Sequence, residues 1–205
     1  ARQCHRAPLP CRVSSPVLHL LAGPNGSGKS TLVERVLSPS RPGLVFVNAD
    51  LIASQRWPGE ESAHAYEASR AAAAERDRLL GERVSFITET VFSHPSKVGL
   101  IKQAVDLGYL VHLHVVLVPE DLTVVRVSER VRRGGHTVPE EKIRARYQRL
   151  WPLIVHAARL ADRAVIYDNT SASTPFREVA SLRQGRPEGL CQWPSWTPEP
   201  LRSLA

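Results

Sequence analysis

Gly23-Pro24-Asn25-Gly26-Ser27-Gly28-Lys29-Ser30-Thr31 points to the fold class of this chain. It fits the pattern G-x-x-x-x-G-K-[ST], which is informative only where it leaves a strand and opens a helix. Both conditions hold: the apolar Val17-Leu-His-Leu-Leu-Ala22 precedes it, and Ser30-Thr-Leu-Val-Glu-Arg-Val-Leu37 follows with helical spacing. The loop amides and the helix N-terminus then converge on one anion site. Gly23, Gly26 and Gly28 let the backbone approach phosphates, and Pro24, Asn25, Ser27 and Thr31 complete the nucleotide-binding stretch. Lys29 is spaced to reach the β and γ phosphates of ATP or GTP, and the Ser30 hydroxyl to sit on Mg²⁺.

Outward from this loop, short β-branched runs alternate with longer helical patterns, as a parallel sheet covered on both faces requires. Val17 to Ala22, Leu44 to Asn48, Val84 to Glu89, Leu110 to Val118 and Ala164 to Tyr167 read as buried strands. Lys29 to Leu37, Glu60 to Leu80, Pro95 to Leu107, Glu120 to Arg133 and Pro139 to Leu160 carry helical spacing. The expectation is an α/β fold with a five-stranded, mostly parallel sheet. Gly81, Gly108 and Gly134-Gly135 stand where left-handed C-caps would end three of the helices. Trp151-Pro152 predicts a kink or a split in the last one. Residues 1–15 read as an unstructured extension, 16–184 as one domain, and 185–205 as a tail whose Pro187, Pro194, Pro198 and Pro200 oppose regular structure.

With 205 residues, 42% apolar and 23% charged, the chain has the composition of a globular domain, and no apolar run is long enough to span a bilayer. The first ten residues lack the apolar core of a secretory signal, which makes the cytoplasm the expected compartment. Cys4, Cys11 and Cys191 are an odd number outside the periodic regions, so free thiols are expected. The formal charge of +7 could suit nucleic acid. The arginines concentrate between Arg126 and Arg149, however, without interleaved aromatic residues for stacking on a single strand. A small, multiply phosphorylated ligand explains them equally well.

Two strand ends carry carboxylates. Leu44 to Asn48 runs into Asn48-Ala49-Asp50, at the C-terminal sheet edge where α/β folds bind ligands. Asp50 is a candidate base for an attacking hydroxyl, or else a cap for the helix beginning at Leu51. The third strand ends in Thr88-Glu89-Thr90, which adds a second carboxylate and two hydroxyls that suit a polyhydroxylated substrate or a Mg²⁺-bound water. The fourth lacks an acid in the usual Walker B place, and metal binding shifts to Ser30 with Asp50 or Glu89. His112 and His114, two apart on one face, read as buried histidines rather than ligands. Arg126, Arg130 and Arg133 stack on one helical face before the flexible Gly134 to Pro139. They suggest a lid bringing guanidinium groups to a transferring phosphoryl group, or a solvated face paired with Glu129, Glu140 and Glu141.

Gly23 to Thr31, Asn48-Ala49-Asp50, Glu89 to Ser93, Gly108-Tyr109, Arg126 to Val131, Gly134 to Pro139 and Tyr167 to Asn169, in that order, resemble the zeta-toxin family. The resemblance covers roughly residues 16 to 170. It implies a P-loop NTPase kinase fold and a phosphotransferase with an alcohol acceptor. The characterised toxins pass phosphate from ATP or GTP to the 3′-hydroxyl of the amino sugar in UDP-N-acetylglucosamine. By the same resemblance Lys29 is the nucleotide lysine, Asp50 the base, Glu89 with Thr90 the substrate-binding pair, and Arg130 or Arg126 the first phosphate-contacting arginine. His136 stands where plasmid toxins carry a second arginine, as in the compact chromosomal branch. An antitoxin protein is the partner implied for a toxin. A kinase for another small hydroxyl acceptor, or a non-catalytic nucleotide- or RNA-binding module, fits the residues too.

Overall fold

The structure, a computed structural model, describes residues 14–132 and 138–204. The chain runs β1 (Val17–Ala22), α1 (Lys29–Leu32), a π-helical turn (Val33–Leu37), α2 (Ser38–Ser40), β2 (Val45–Val47), α3 (Ala49–Arg56) and α4 (Ala65–Gly81). It continues through β3 (Phe86–Thr90), α5 (Ser96–Asp106), β4 (Leu110–Leu117), α6 (Glu120–Arg132) and α7 (Glu140–Leu160). It ends with β5 (Arg163–Asp168), β6 (Arg177–Arg183), β7 (Arg186–Pro187) and α8 (Glu199–Arg202).

The sheet has seven strands in the order β2-β3-β1-β4-β5-β6-β7, not the five expected. The five expected strands are parallel, and β6 and β7 extend the sheet antiparallel. The additional pair escapes a search for apolar runs because β6 is an Arg-Glu-Val-Ala-Ser-Leu-Arg mixture with only part of its length buried. Its hairpin also lacks the usual glycine pair. Gln184 (φ 49°) and Gly185 (φ 74°) take the two left-handed positions between the paired Arg183 and Arg186. Pro187 is tolerated because β7 is an edge strand.

Alternate residues of the continuous apolar strands face two cores. Leu18, Leu20 and Ala22 of β1 join the larger, with α4, α5, α7 and α8, while Leu21 packs on Leu32, Val33 and Leu37 behind the phosphate loop. Pro152 does not split α7, which runs unbroken from Glu140 to Leu160. Its buried stripe, including Tyr147, Leu150, Trp151 and Ile154, outweighs the roughly 3 kcal/mol an internal proline costs. Gly81 ends α4 without a left-handed turn, and Arg83 (φ 55°) takes that conformation two residues later; Gly108 (φ 75°) does end α5 as expected. Beyond Gln184 the chain is held rather than loose, with Leu201 and Leu204 in the larger core. No helix among the described residues is long and apolar enough to cross a membrane.

In the sheet, β2 and β3 lie on one side of β1, and β4 and β5 on the other. The carboxyl end of β1 is thus the switch point of the topology, where open α/β sheets form their ligand crevice.

Candidate functional site

The phosphate loop occupies that switch point. Gly23 has φ 148°, and a Cβ there would stand 2.5 Å from the Val116 carbonyl oxygen of β4. Asn169, just past β5, clamps the far side: its Nδ2 donates to the Ser27 carbonyl at 2.8 Å. Its own carbonyl accepts from Arg126 Nη2 at 2.9 Å. One asparagine therefore ties the loop to the arginine helix α6.

Lys29 opens α1 with its side chain 5% exposed, and Nζ donates to the Pro24 carbonyl at 2.9 Å. Burial pushes its ammonium below the usual lysine range, with Glu89 and then Asp50 opposing the shift. Glu89 is the hub of the site. Its Oε2 accepts from Ser30 Oγ at 2.7 Å and from Asn48 Nδ2 at 2.9 Å, and its Oε1 lies 3.8 Å from Lys29 Nζ. Hard oxygens of a serine and a carboxylate side by side are the donor set a Mg²⁺ shared with phosphates requires, so these residues fit that ion.

Asn48, not Asp50, caps the following helix. Its Oδ1 caps α3 by accepting from the Asp50 and Leu51 amides at 2.7 and 3.2 Å. The Asp50 carboxylate is thereby left free to face the site, where it lines two cavities. The first, about 260 Å³, is bounded by Asn25, Gly26 and Gly28 to Thr31 of the phosphate loop with Asp50, Glu89, Val91, Arg126 and Arg130. The second, about 300 Å³, lies towards α4 and is bounded by Asn48, Asp50, Ser69, Arg76, Glu89, Thr90, Ser93, Lys97 and Arg146. Asp50 and Glu89 stand at the junction of both. Such an arrangement can hold a phosphorylated donor on one side of a carboxylate and a hydroxyl compound on the other.

Lys29, Ser30, Asp50, Glu89, Thr90, Arg126 and Arg130 are thus brought together; Arg133 and His136, with the Gly134-Gly135 hinge, lie outside the described residues. Thr88 is not part of the site: it is buried and its hydroxyl donates to the Val47 carbonyl at 3.0 Å. Arg144 is taken up by Glu140, Asp121 and Glu120, the fate of a solvated helix face. Arg146, two residues on, turns to the second cavity. Sequence reasoning missed Arg76 and Lys97, which belong to no motif, and it placed Asn169 in the motif of the last strand without its role as a clamp on the loop. His114 lies on the opposite side of β4, bonded to His19 at 3.1 Å. Burial pushes both imidazoles down to about 3.

The zeta toxin family matches residues 3–178 of the chain. An uncharacterized protein of Haemophilus influenzae is 30% identical over 126 residues, 61% of this chain and 88% of that protein. Among solved structures, the PezAT chromosomal toxin-antitoxin system of Streptococcus pneumoniae is similar with a TM-score of 0.61 and 15% identity, over 82% of this chain and 72% of that one. AvrRxo1-ORF1:-ORF2 with ATP is similar with a TM-score of 0.68 and 17% identity, over 85% of this chain and 60% of that one. The two structural likenesses speak to the fold, and the family match spans both the phosphate loop and the strand ends that face it. The chain belongs to the zeta toxin family of P-loop kinases.

Proposed function

We propose that this phosphotransferase moves the γ-phosphate of ATP or GTP to a hydroxyl of a nucleotide sugar, with the 3′-hydroxyl of UDP-N-acetylglucosamine as the first acceptor to test. One observation carries the reading: two cavities, one around the phosphate loop, share Asp50 and Glu89 at their junction.

In this reading the backbone from Gly23 to Thr31 and Lys29 hold the β and γ phosphates. Lys29 exchanges its bond to the Pro24 carbonyl for phosphate oxygens, whose negative charge favours the ammonium form that burial opposes. Asp50 orients the acceptor hydroxyl and takes its proton as the oxygen bonds to the γ-phosphorus. The bond from the γ-phosphorus to the bridging oxygen breaks, and the nucleoside diphosphate leaves. Arg126 and Arg130, on the rim of the donor cavity, neutralise charge on the transferring group, with Arg133 and His136 as the lid residues expected to join them. Ser30 and Glu89 would hold Mg²⁺, which when bound would neutralise charge on the phosphates. Thr90 lines the acceptor side beside Glu89.

A kinase for a smaller hydroxyl compound is the second reading, favoured by an acceptor cavity of about 300 Å³, at the small end for ligand pockets. A nucleic-acid module draws little support, since Arg144 is paired with carboxylates and Arg126, Arg130 and Arg146 face cavities. The toxin-antitoxin system named for the pneumococcal relative motivates an antitoxin partner here as well. Incubation with γ-labelled ATP or GTP and a panel of nucleotide sugars, with products resolved by mass spectrometry, tests the proposal. A phosphorylated UDP-N-acetylglucosamine is expected. Transfer to no nucleotide sugar would overturn that assignment, and transfer neither to these nor to a panel of smaller hydroxyl compounds would remove the kinase reading.

A further inference from the structure

The chain after β7 closes a further cavity against α7. About 320 Å³ in volume, it is walled by Tyr147 and Trp151 of α7, by Trp196, and by Pro119, Pro198 and Pro200. It shares no residue with the two cavities at the phosphate loop. Trp196 and the two later prolines lie beyond residue 178, where the family match ends.

The aromatic wall is held by the protein's own bonds. Thr197 Oγ1 donates to the Pro194 carbonyl at 2.7 Å and Arg202 Nη2 to the Ser195 carbonyl at 2.8 Å, which fixes the turn carrying Trp196. Tyr147 and Trp151 meet edge to face with ring centres 5.1 Å apart. The Tyr147 hydroxyl is spent on the Val118 carbonyl at 3.0 Å. Trp151 differs: it is only 2% exposed, and its indole Nε1 has no hydrogen-bond partner among the described residues. A buried indole N–H ordinarily has an acceptor, because leaving it unbonded forfeits its hydration with nothing in exchange.

Charge on this wall has one sign. Glu120 and Glu199 line the cavity and, among the described residues, no cation does, in a chain whose formal charge is +7. The Glu199 side chain is 90% exposed, and Arg202, engaged with the Ser195 carbonyl, stays 3.7 Å away from it. Glu120 accepts from Gln148 Nε2 at 2.7 Å and lies 3.5 Å from Arg144, whose shorter bonds go to Asp121 and Glu140. An occupant that fits must therefore bring an apolar body for the rings, a carbonyl oxygen for the indole donor and a cation for the carboxylates. A proline-containing peptide with a basic side chain carries all three. Its extended backbone leaves the carbonyls free and is ordered before binding, and proline rings suit aromatic walls. A guanidinium or ammonium pairs with carboxylates and lies well on an indole face.

We propose that this groove docks an extended, proline-containing segment of a partner protein that presents an arginine or lysine. The Trp151 indole donates to a backbone carbonyl of the segment, while Glu199 and Glu120 face its cation. The site does not depend on the kinase reading.

Blocked tetraprolines with one position replaced by arginine or lysine are the probes, titrated calorimetrically into the full chain with and without a non-hydrolysable ATP analogue. At least one probe is expected to bind once per chain, equally well with the analogue present. Glutamate in place of its basic residue should weaken binding at least about tenfold. Trp196→Ala should also cost at least about tenfold, and Trp151→Phe, which removes the indole donor, about two- to tenfold. Glu199→Gln changes an exposed side chain, leaves the fold untouched and should cost about threefold or more. It keeps the test decisive should either tryptophan variant fail to fold, as thermal melts would show. Absence of binding by every probe, equal binding of the glutamate peptide, or unchanged affinity in Glu199→Gln overturns the proposal. Arginine amide bound as tightly as the peptide would make this a pocket for small cations and overturn it too. So would displacement of the probe by the ATP analogue, which would place the peptide in the phosphate-loop cleft. Self-association of the free chain that Trp196→Ala abolishes would assign the surface to a second copy and equally overturn it.

Discussion

At Gly28, a backbone φ of 98° and an Asn169 Nδ2 that would lie 2.5 Å from an added Cβ leave room for glycine alone. Gly28→Ala should therefore cost about 1–3 kcal/mol in backbone strain and push Asn169 off the Ser27 carbonyl. Thermal melts should show the loss, with nucleotide affinity falling in parallel; an alanine variant as stable as wild type would contradict the clamp. Asn169→Ala separates the two effects, since it removes the bond to the Ser27 carbonyl without straining φ, and should weaken nucleotide binding with a smaller change in melting temperature. The glycines, Lys29 and Ser30 were legible because a short contiguous pattern encodes them. Asp50 was legible only as an alternative between base and cap. Asn48 removes the cap alternative by taking the cap itself, a division of labour between nearby side chains that no spacing rule encodes.

Among the elements, the five parallel strands were readable because burial on both faces makes each a continuous apolar run. β6 and β7 were not, since β6 is polar in part and its turn uses Gln184 in a left-handed conformation. The helix α7 shows the same limit from the other side: Pro152 is a strong local signal, and the buried stripe around it prevails. Pro152 is exposed, so replacing it removes no core contact. Pro152→Ala should restore a backbone donor inside α7 and stabilise the protein by about 1–3 kcal/mol. Chemical denaturation checks this, and a destabilised variant would show that α7 depends on a bend at that point. The lid was inferred from arginines at helical spacing, and two of them, Arg126 and Arg130, do reach the donor cavity. Arg76 and Lys97 come from α4 and α5, whose spacing in the chain gives no hint that they share a wall.

Across the whole molecule, segments far apart in sequence depend on one another. Leu201, fully buried against α7, ties the Pro- and Trp-containing end of the chain to the core, and Leu201→Ala should cost about 2–5 kcal/mol by the loss of a buried leucine. Urea unfolding tests this; a cost near zero would mean that the segment packs only loosely. The opposite face sets a pH limit. His19 and His114 titrate near 3 in the folded protein against 6.5 unfolded, with burial the main cause in each and neighbouring histidines and Arg41 adding to it. Between those values the unfolded chain binds more protons, so stability rises with pH through that window and levels above about 6.5. Unfolding free energy should fall by about 2 kcal/mol or more from pH 7 to pH 5, and a flat profile would place these histidines in water. Function turns on the junction of the two cavities, where Asp50 lines both. The most direct measurement is phosphate transfer from ATP to UDP-N-acetylglucosamine by wild type and by Asp50→Asn, with ATP affinity measured on the same proteins. Transfer should fall by about 10²–10⁴-fold in the variant while ATP affinity stays within about twofold. Undiminished transfer by Asp50→Asn would contradict the account.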